Sequence, residues 1–445
     1  MRRAGAAALV VSALLGAALA LAPGGVAAAT GATAAREVPS ALSSEECTAS
    51  TWIADAPSAF RVLQSENAWT RSRGSKIVVA VVDSGVAATN PHFTDALVAG
   101  ADLVGDGAGA TTDLDGHGTA LAGQIAARSV PKSGVVGLAP RAQVMPVRVY
   151  AGTSEAQVQA GIGPRADRVA QGIRYAADHG ARIILVGITT DAPDAALTDA
   201  VAAATAQGSL VIASAGSRAH ELSIDQNEDD GARYPAGAPG ALGVAATDAD
   251  GVVTAASIQG PHVSLSAPGS DILTASAAGA DCRFATDPSP AFAAAYVAAA
   301  AALVAAAHPG ESPAQWAYRL EATAVRADPD SRDDASGWGL VQPYDAMILV
   351  PGAGVRGPDS PFPSEASVAP VSPSASPAVV EHRDPANGTA LVLGVLGGVA
   401  AAVVLGVAGT VGVFRRRRAE PAAPETVRAG GLFRDEREDP EPSDD

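Results

Sequence analysis

Positively charged residues are scarce in this chain of 445 residues, where 30 lysines and arginines stand against 47 aspartates and glutamates. The formal net charge is −17, which disfavours binding to the phosphates of nucleic acid. We therefore expect no nucleic-acid partner. No internal repeat is apparent in the sequence, and we predict neither a metal site nor a cofactor.

Cysteine is also scarce, with only Cys47 and Cys282 in the whole chain. An even number of cysteines in an exported protein favours a disulfide, because extracytoplasmic compartments are oxidising. We predict that the two pair, with two free thiols as the alternative.

The N-terminus has the pattern of a secretory signal peptide. Arg2 and Arg3 precede an apolar run over residues 6–22, and small residues follow it. This order of charged, apolar and small segments predicts a signal peptide over residues 1–29. An uncleaved membrane anchor is the alternative.

The C-terminal part carries a second apolar run, over residues 390–414, which contains no charged residue. A transmembrane helix needs about 20 apolar residues. Four arginines follow at residues 415–418, and positive charge favours the cytoplasmic side. The sequence predicts a single-pass protein of the cell membrane whose main domain lies outside the cytoplasm. Residues 415–445 would form a basic stop and an acidic cytoplasmic tail.

Composition divides the segment between these two runs into three parts. Residues 30–64 are predicted to be an N-terminal extension and residues 65–350 a single domain. Residues 351–389 are rich in proline and serine, which favours an extended stalk.

Within the domain, short apolar segments alternate with helical segments. Continuous apolar strands separated by helices indicate a parallel sheet that is covered on both faces. The predicted fold class is therefore α/β, with a parallel sheet flanked by helices. The predicted strands are residues 77–82, 144–150, 182–188, 210–213 and 241–246, and the predicted helices are residues 119–127, 166–179, 194–207, 291–307 and 313–323.

Three sequence segments bear on catalysis. Asp83 directly follows the first predicted strand, at the end where open α/β sheets place their functional sites. His117 lies between two glycines at the start of a predicted helix, and Ala291 lies at the start of the long alanine-rich helix. An aspartate and the histidine that it orients are two of the three members of a Ser-His-Asp triad, in which the histidine deprotonates the serine.

In these segments the chain resembles the subtilisin-like serine proteases, whose Asp, His and Ser boxes come in this order. The resemblance covers most of residues 60–350 and implies their three-layer fold. It also implies that Asp83 and His117 are retained charge-relay residues. The family's third box, Gly-Thr-Ser-x-Ala-x-Pro, aligns so that Ala291 takes the place of the nucleophile.

Besides lacking the serine nucleophile, the chain departs from the family's sequence pattern at two further segments. Ser217 stands where the family has the asparagine that binds the oxyanion, and residues 185–187 replace its Asn-x-Ser substrate strand. Losing the nucleophile alone lowers turnover by about 10⁶, and losing one oxyanion donor lowers it by about 10²–10³. Ser289 is a possible substitute nucleophile, but it lies two residues away, about 6–7 Å along an extended segment.

The overall organisation resembles the mycosins, the subtilisin-like proteases that accompany type VII secretion systems of actinobacteria. This resemblance implies that secretion-complex components and the membrane are partners. We interpret the chain as a pseudoprotease that acts by binding or by complex assembly. The alternatives are an active endopeptidase that uses a non-standard serine and a module that binds an extended peptide in the old cleft.

Overall fold

A computed structural model describes residues 47–218, 224, 228–284 and 287–363. The predicted signal peptide, the transmembrane segment at 390–414 and the tail at 415–445 lie outside the described residues. So do the extension before residue 47 and the stalk beyond residue 363.

Seven parallel strands form the central sheet, and two antiparallel strands form a separate hairpin. The sheet order is β2-β3-β1-β4-β5-β6-β7. In chain order the strands are β1 (Val78–Asp83), β2 (Ala101–Asp102), β3 (Gln143–Arg148), β4 (Ile183–Val186), β5 (Leu210–Ser214), β6 (Ala241–Thr247), β7 (Val263–Pro268) and the hairpin strands β8 (Ile272–Ala275) and β9 (Asp281–Phe284).

The described helices lie between and after these strands. They are α1 (Ala59–Val62), α2 (Ser65–Trp69), α3 (His117–Ala126), α4 (Glu155–Gln159), α5 (Ala166–Asp178), α6 (Ala195–Ala206), α7 (Pro290–Ala307), α8 (Pro313–Ala322) and α9 (Pro343–Ile348), with one 3₁₀ helix at Pro91–Phe93.

Alternate strand residues face two separate hydrophobic cores, as the period of two in a strand requires. In β1, Val79 and Val81 pack with α3 and α7, whereas Ala80 and Val82 pack with α5 and α6. Both faces of the sheet are therefore covered, which gives the predicted three layers and explains why the strands are apolar throughout.

Helix α7 is the central element of the first core. It packs against β4, β5, β6 and β7, and nearly all of its residues are buried. Of the described helices it is the one long and apolar enough to cross a membrane, yet 89% of it is buried inside the domain. A helix that is hydrophobic all round is also what a domain core requires. Its position is that of a core helix, distinct from the predicted span at 390–414.

The described part of the N-terminal extension is fastened to the domain by a disulfide. Cys47 and Cys282 are bonded, with their Cα atoms 5.3 Å apart, so the predicted pair is present. Farther along, the backbone N–H of Ile53 donates to the Asp281 carboxylate at 2.9 Å, and the Ile53 carbonyl accepts from Gly134. The extension thus runs along the hairpin that contains β9.

The predicted elements are found within a few residues of their expected bounds, but four strands were not predicted. Strand β7 alternates polar and apolar residues, and β2 has only two residues. The hairpin strands β8 and β9 pair only with each other. None of these has the continuous apolar run that marks a strand buried on both faces.

Candidate active site

Asp83 is the last residue of β1 and is completely buried. The chain then turns sharply at Gly85, whose φ of +110° is strained for residues with a side chain. A Cβ atom at Gly85 would lie 2.2 Å from the Thr112 carbonyl oxygen. This close approach brings the loop that carries His117 against the end of β1.

His117 is the first residue of α3, and a buried aspartate fixes the loop before it. The Asp113 carboxylate accepts hydrogen bonds from the backbone N–H groups of Gly116 and Thr119 at 2.8 Å, and from the Thr119 hydroxyl at 2.5 Å. A carboxylate is favoured there because the first N–H groups of a helix lack partners and carry partial positive charge. Asp113 therefore holds the start of α3 and with it the His117 backbone.

The structure brings Asp83 and His117 together. His117 Nδ1 lies 2.8 Å from Asp83 Oδ1, which is the predicted hydrogen bond. The same oxygen accepts from the Ser84 backbone N–H at 2.9 Å and from the Tyr150 hydroxyl at 2.9 Å. The other carboxylate oxygen, Oδ2, is buried and has no hydrogen-bond partner among the described residues.

Sequence reasoning missed Tyr150. It lies two residues after β3, the neighbour of β1, so its position at the carboxyl edge of the sheet was the available signal. It is completely buried, and burial followed by the Asp83 charge raises its pKa well above the usual range. Tyr150 is therefore a neutral donor to Asp83.

The charges around His117 favour its protonated form. Burial lowers the pKa of His117, but the Asp83 carboxylate and, more weakly, Asp115 and Asp113 raise it to about 9. The His117 side chain is 14% exposed. This shift favours the imidazolium form at neutral pH, whereas a general base must be neutral to accept a proton.

The first turn of α7 lies beside this pair. The Phe292 ring is 5.4 Å from the His117 ring, and its backbone carbonyl accepts from Gln124 of α3 at 3.0 Å. Ala291, predicted to occupy the nucleophile position, is buried in this turn. Among the described residues, no hydroxyl group is hydrogen-bonded to His117.

Two other predicted departures also lie at the carboxyl edge of the sheet. Ser217 follows β5, is buried, and pairs through its backbone with Ser257. Gly187 follows β4, and a Cβ atom there would lie 2.9 Å from Asp83 Oδ2 and 3.1 Å from His117 Cε1. The missing side chain at Gly187 thus faces the unpartnered carboxylate oxygen.

Comparison with known proteins identifies the family. The subtilase family, Peptidase S8, matches residues 74–339. The chain belongs to the subtilase family. Thermitase from Thermoactinomyces vulgaris is 33% identical over 212 residues, which cover 48% of this chain and 70% of thermitase. Fervidolysin from Fervidobacterium pennivorans is 34% identical over 217 residues, which cover 47% of this chain and 30% of fervidolysin.

Solved structures narrow the relationship to the mycosins. The MycP3 protease from the type VII (ESX-3) secretion system aligns with a TM-score of 0.58 and 26% identity, covering 68% of this chain and 91% of MycP3. MycP1 from Mycobacterium smegmatis aligns with a TM-score of 0.58 and 25% identity, covering 71% and 90% of the two chains. This subtilase therefore has a mycosin-type fold related to proteases of type VII secretion.

Proposed function

We propose that this subtilase is a membrane-anchored, extracytoplasmic pseudoprotease that binds partners or supports assembly of a secretion complex. The observation that carries the proposal is Ala291: its methyl group has no oxygen to attack a peptide bond. Asp83 and His117 remain hydrogen-bonded at 2.8 Å, but among the described residues no hydroxyl is hydrogen-bonded to His117.

The protonation of His117 supports the same proposal. A pKa raised to about 9, mainly by Asp83 acting against burial, favours the protonated imidazole at neutral pH. Such a ring donates hydrogen bonds from both nitrogens and accepts none. It is suited to binding an acceptor and poorly suited to taking a proton from serine.

The proposed partners and location rest on the related proteins and on the sequence. MycP3 and MycP1 are described as parts of type VII secretion systems, and we infer that this subtilase associates with such a complex. The apolar segment at 390–414, followed by arginines, supports an anchor with the domain outside the cytoplasm.

A second candidate function is proteolysis with a non-standard serine. One observation favours it: Ser289, the residue before α7, is buried, and its side chain does not cap the helix. Its hydroxyl is therefore not committed to the helix and would have to reach within about 3.2 Å of His117 to act.

Labelling with a fluorophosphonate probe distinguishes the two candidates. The full-length protein in membranes is compared with its Ser289→Ala variant, with thermitase as the positive control. No labelling of either form supports the pseudoprotease. Labelling of the wild type that disappears in Ser289→Ala supports the second candidate and overturns the first.

A complementation experiment tests the assembly role. The gene is deleted in the source organism and replaced by the wild type or by His117→Ala, with protein levels compared by immunoblotting. If the protein supports assembly without chemistry or binding at His117, His117→Ala restores secretion as the wild type does. A stable His117→Ala protein that fails to restore secretion would contradict an assembly role independent of this site.

A further inference from the structure

A small cavity lies at the edge of the sheet opposite Asp83. Leu210 and Ala241, the first residues of β5 and β6, line it, so it opens at the amino ends of strands whose carboxyl ends form the candidate active site. Residues of α8 and the 359–361 segment complete its walls. We call it the Glu321 cavity, lined by Thr205, Leu210, Gly240, Ala241, Leu242, Pro313, Ala314, Ala317, Tyr318, Glu321, Asp359 and Pro361.

The size of the cavity restricts its occupant. Its volume is about 250 Å³, which is below the roughly 300–1,000 Å³ of pockets for drug-sized molecules. The cavity is large enough for a single extended side chain or a small organic molecule. Leu210 and Leu242 are almost completely buried and make one wall apolar, which suits an aliphatic stem.

Glu321 is the one carboxyl on α8, and it lacks a counter-ion. Among the described residues, its carboxylate takes part in no hydrogen bond and no ion pair. Two arginines act on it electrostatically, but their guanidinium groups are used elsewhere. Arg326 donates to five backbone carbonyls, including that of Glu321 itself, and Arg332 donates to Val263, Gly260 and Asp334.

Burial disfavours the charged form of the Glu321 carboxyl. It raises the pKa of Glu321 to about 7, against the weaker lowering by Arg332 and Arg326. An acid that is half ionised near neutral pH gains by accepting a positively charged partner, because the partner removes the desolvation cost of the carboxylate. A cation bound in the cavity beside the Glu321 carboxylate would therefore be stabilised.

Two neutral groups in the same cavity are suited to the same kind of ligand. The Thr205 hydroxyl oxygen is buried and has no hydrogen-bond partner among the described residues. Tyr318 is 3% exposed and adds an aromatic ring, which attracts cations electrostatically. Asp359, at the exposed rim, adds a second negative charge to the entrance.

We propose that the Glu321 cavity binds a primary alkylammonium group, with Glu321 as its counter-ion and Thr205 as a hydrogen-bond acceptor. The source is either a lysine side chain of a partner protein or a small free amine. The aliphatic stem lies against Leu210 and Leu242. The site is independent of the proposed pseudoprotease function, since it shares no residue with the candidate active site.

Calorimetric titration of the full-length protein in detergent at pH 7.5 tests this proposal. The probes are n-butylammonium chloride, a short peptide with one internal lysine, and 1-pentanol as a neutral molecule of similar shape. The variants are Glu321→Gln, Thr205→Val and the control Glu66→Gln, which removes one exposed charge from α2. Circular dichroism verifies that each variant is folded.

We expect n-butylammonium or the lysine peptide to bind, and 1-pentanol to bind at least about tenfold more weakly, which corresponds to one charge-assisted contact. Glu321→Gln should weaken binding about tenfold, and Thr205→Val should weaken it about threefold. Glu66→Gln should leave it unchanged.

The two probes separate the possible sources. Binding of n-butylammonium supports a free amine, whereas binding of the lysine peptide alone supports a protein partner. Absence of binding by both probes, or equal affinity in Glu321→Gln and the wild type, overturns the proposal. Neither result affects the probe-labelling experiment at the active site, so the two proposals fail separately.

Discussion

Tyr150 donates its hydroxyl proton to Asp83 Oδ1 at 2.9 Å, and the same oxygen binds His117 at 2.8 Å. One carboxylate oxygen therefore receives the donors from three parts of the chain, while the other, Oδ2, has none among the described residues. The Asp83–His117 pair is held in place by hydrogen bonds that do not involve Ala291. Its geometry and its protonation can be tested apart from catalysis.

The first prediction concerns the charge of His117. An NMR titration of its Cε1 proton should give a pKa of about 9, and Asp83→Asn should lower it, because Asp83 is the principal negative charge on the ring. The raised pKa stabilises the folded protein below pH 6.5, and this contribution disappears as the pH rises through 9. Asp95→Asn, at an exposed turn, is the matched control. An unchanged His117 pKa in Asp83→Asn would show that the pair does not interact as described.

The second prediction concerns repair of the nucleophile. Ala291→Ser alone should not restore efficient peptide hydrolysis, because Ser217, which we predict to replace the family's oxyanion asparagine, is still in place. One missing donor should leave a deficit of about 3–4 kcal/mol in the barrier. The double variant with Ser217→Asn should be faster than either single variant. Hydrolysis of a fluorogenic peptide by the four full-length proteins measures this, and robust activity of Ala291→Ser alone would show that the oxyanion site is intact.

Gly187 provides a third prediction, based on two substitutions that differ by one hydroxyl group. Gly187→Ala should lower the free energy of unfolding by about 1–3 kcal/mol, because its Cβ crowds Asp83 and His117. Gly187→Ser should be more stable than Gly187→Ala by about 1 kcal/mol, because its hydroxyl can donate to the unpartnered Asp83 Oδ2. Urea denaturation measures both variants. Equal stabilities would mean that Oδ2 does not need a donor.

A fourth prediction concerns the disulfide. Replacing both Cys47 and Cys282 by alanine should destabilise the protein by up to about 5 kcal/mol, because the bond closes a very long loop. Hydrogen exchange should increase first at the Gly134 amide, which donates to the Ile53 carbonyl, and at the Ile53 amide, which donates to the Asp281 carboxylate. Unfolding curves of the wild type with and without reductant check the first part. If the variant is as stable as the wild type, contacts other than the disulfide hold the extension on the domain.

The fifth prediction follows from Glu321. Its pKa is raised by burial from 4.5 to about 7, so the protein should lose stability as the pH rises from 4.5 through 7. Glu321→Gln should remove this slope and stabilise the protein at pH 7.5 by at most about 3 kcal/mol. Thermal unfolding at several pH values measures both effects, with Glu66→Gln as the control. If the change of stability with pH persists in Glu321→Gln, another titratable group causes it.

The sequence was sufficient to predict the parallel sheet and the meeting of Asp83 with His117. Continuous apolar strands have few alternative positions in a fold, and glycines beside both residues permit the close approach of their loops. Strand β7 was not predicted because its polar residues, Ser264 and Ser266, interrupt the apolar run. The Tyr150 contact was not predicted because it depends on the register between β1 and β3, which sets Asp83 opposite Arg148.

The hydrogen bonds that hold His117 and Asp83 come from one group of neighbouring segments. Asp83, Asp113 and Tyr150 belong to the segments around β1, α3 and β3, whereas residue 291 begins α7 and Ser217 follows β5. A side-chain change at residue 291 or 217 removes none of these hydrogen bonds, although Phe292 of α7 packs against the His117 ring. The hydrogen bonds of the Asp83–His117 pair and the side chain at position 291 belong to separate elements of the fold, so either can change without the other.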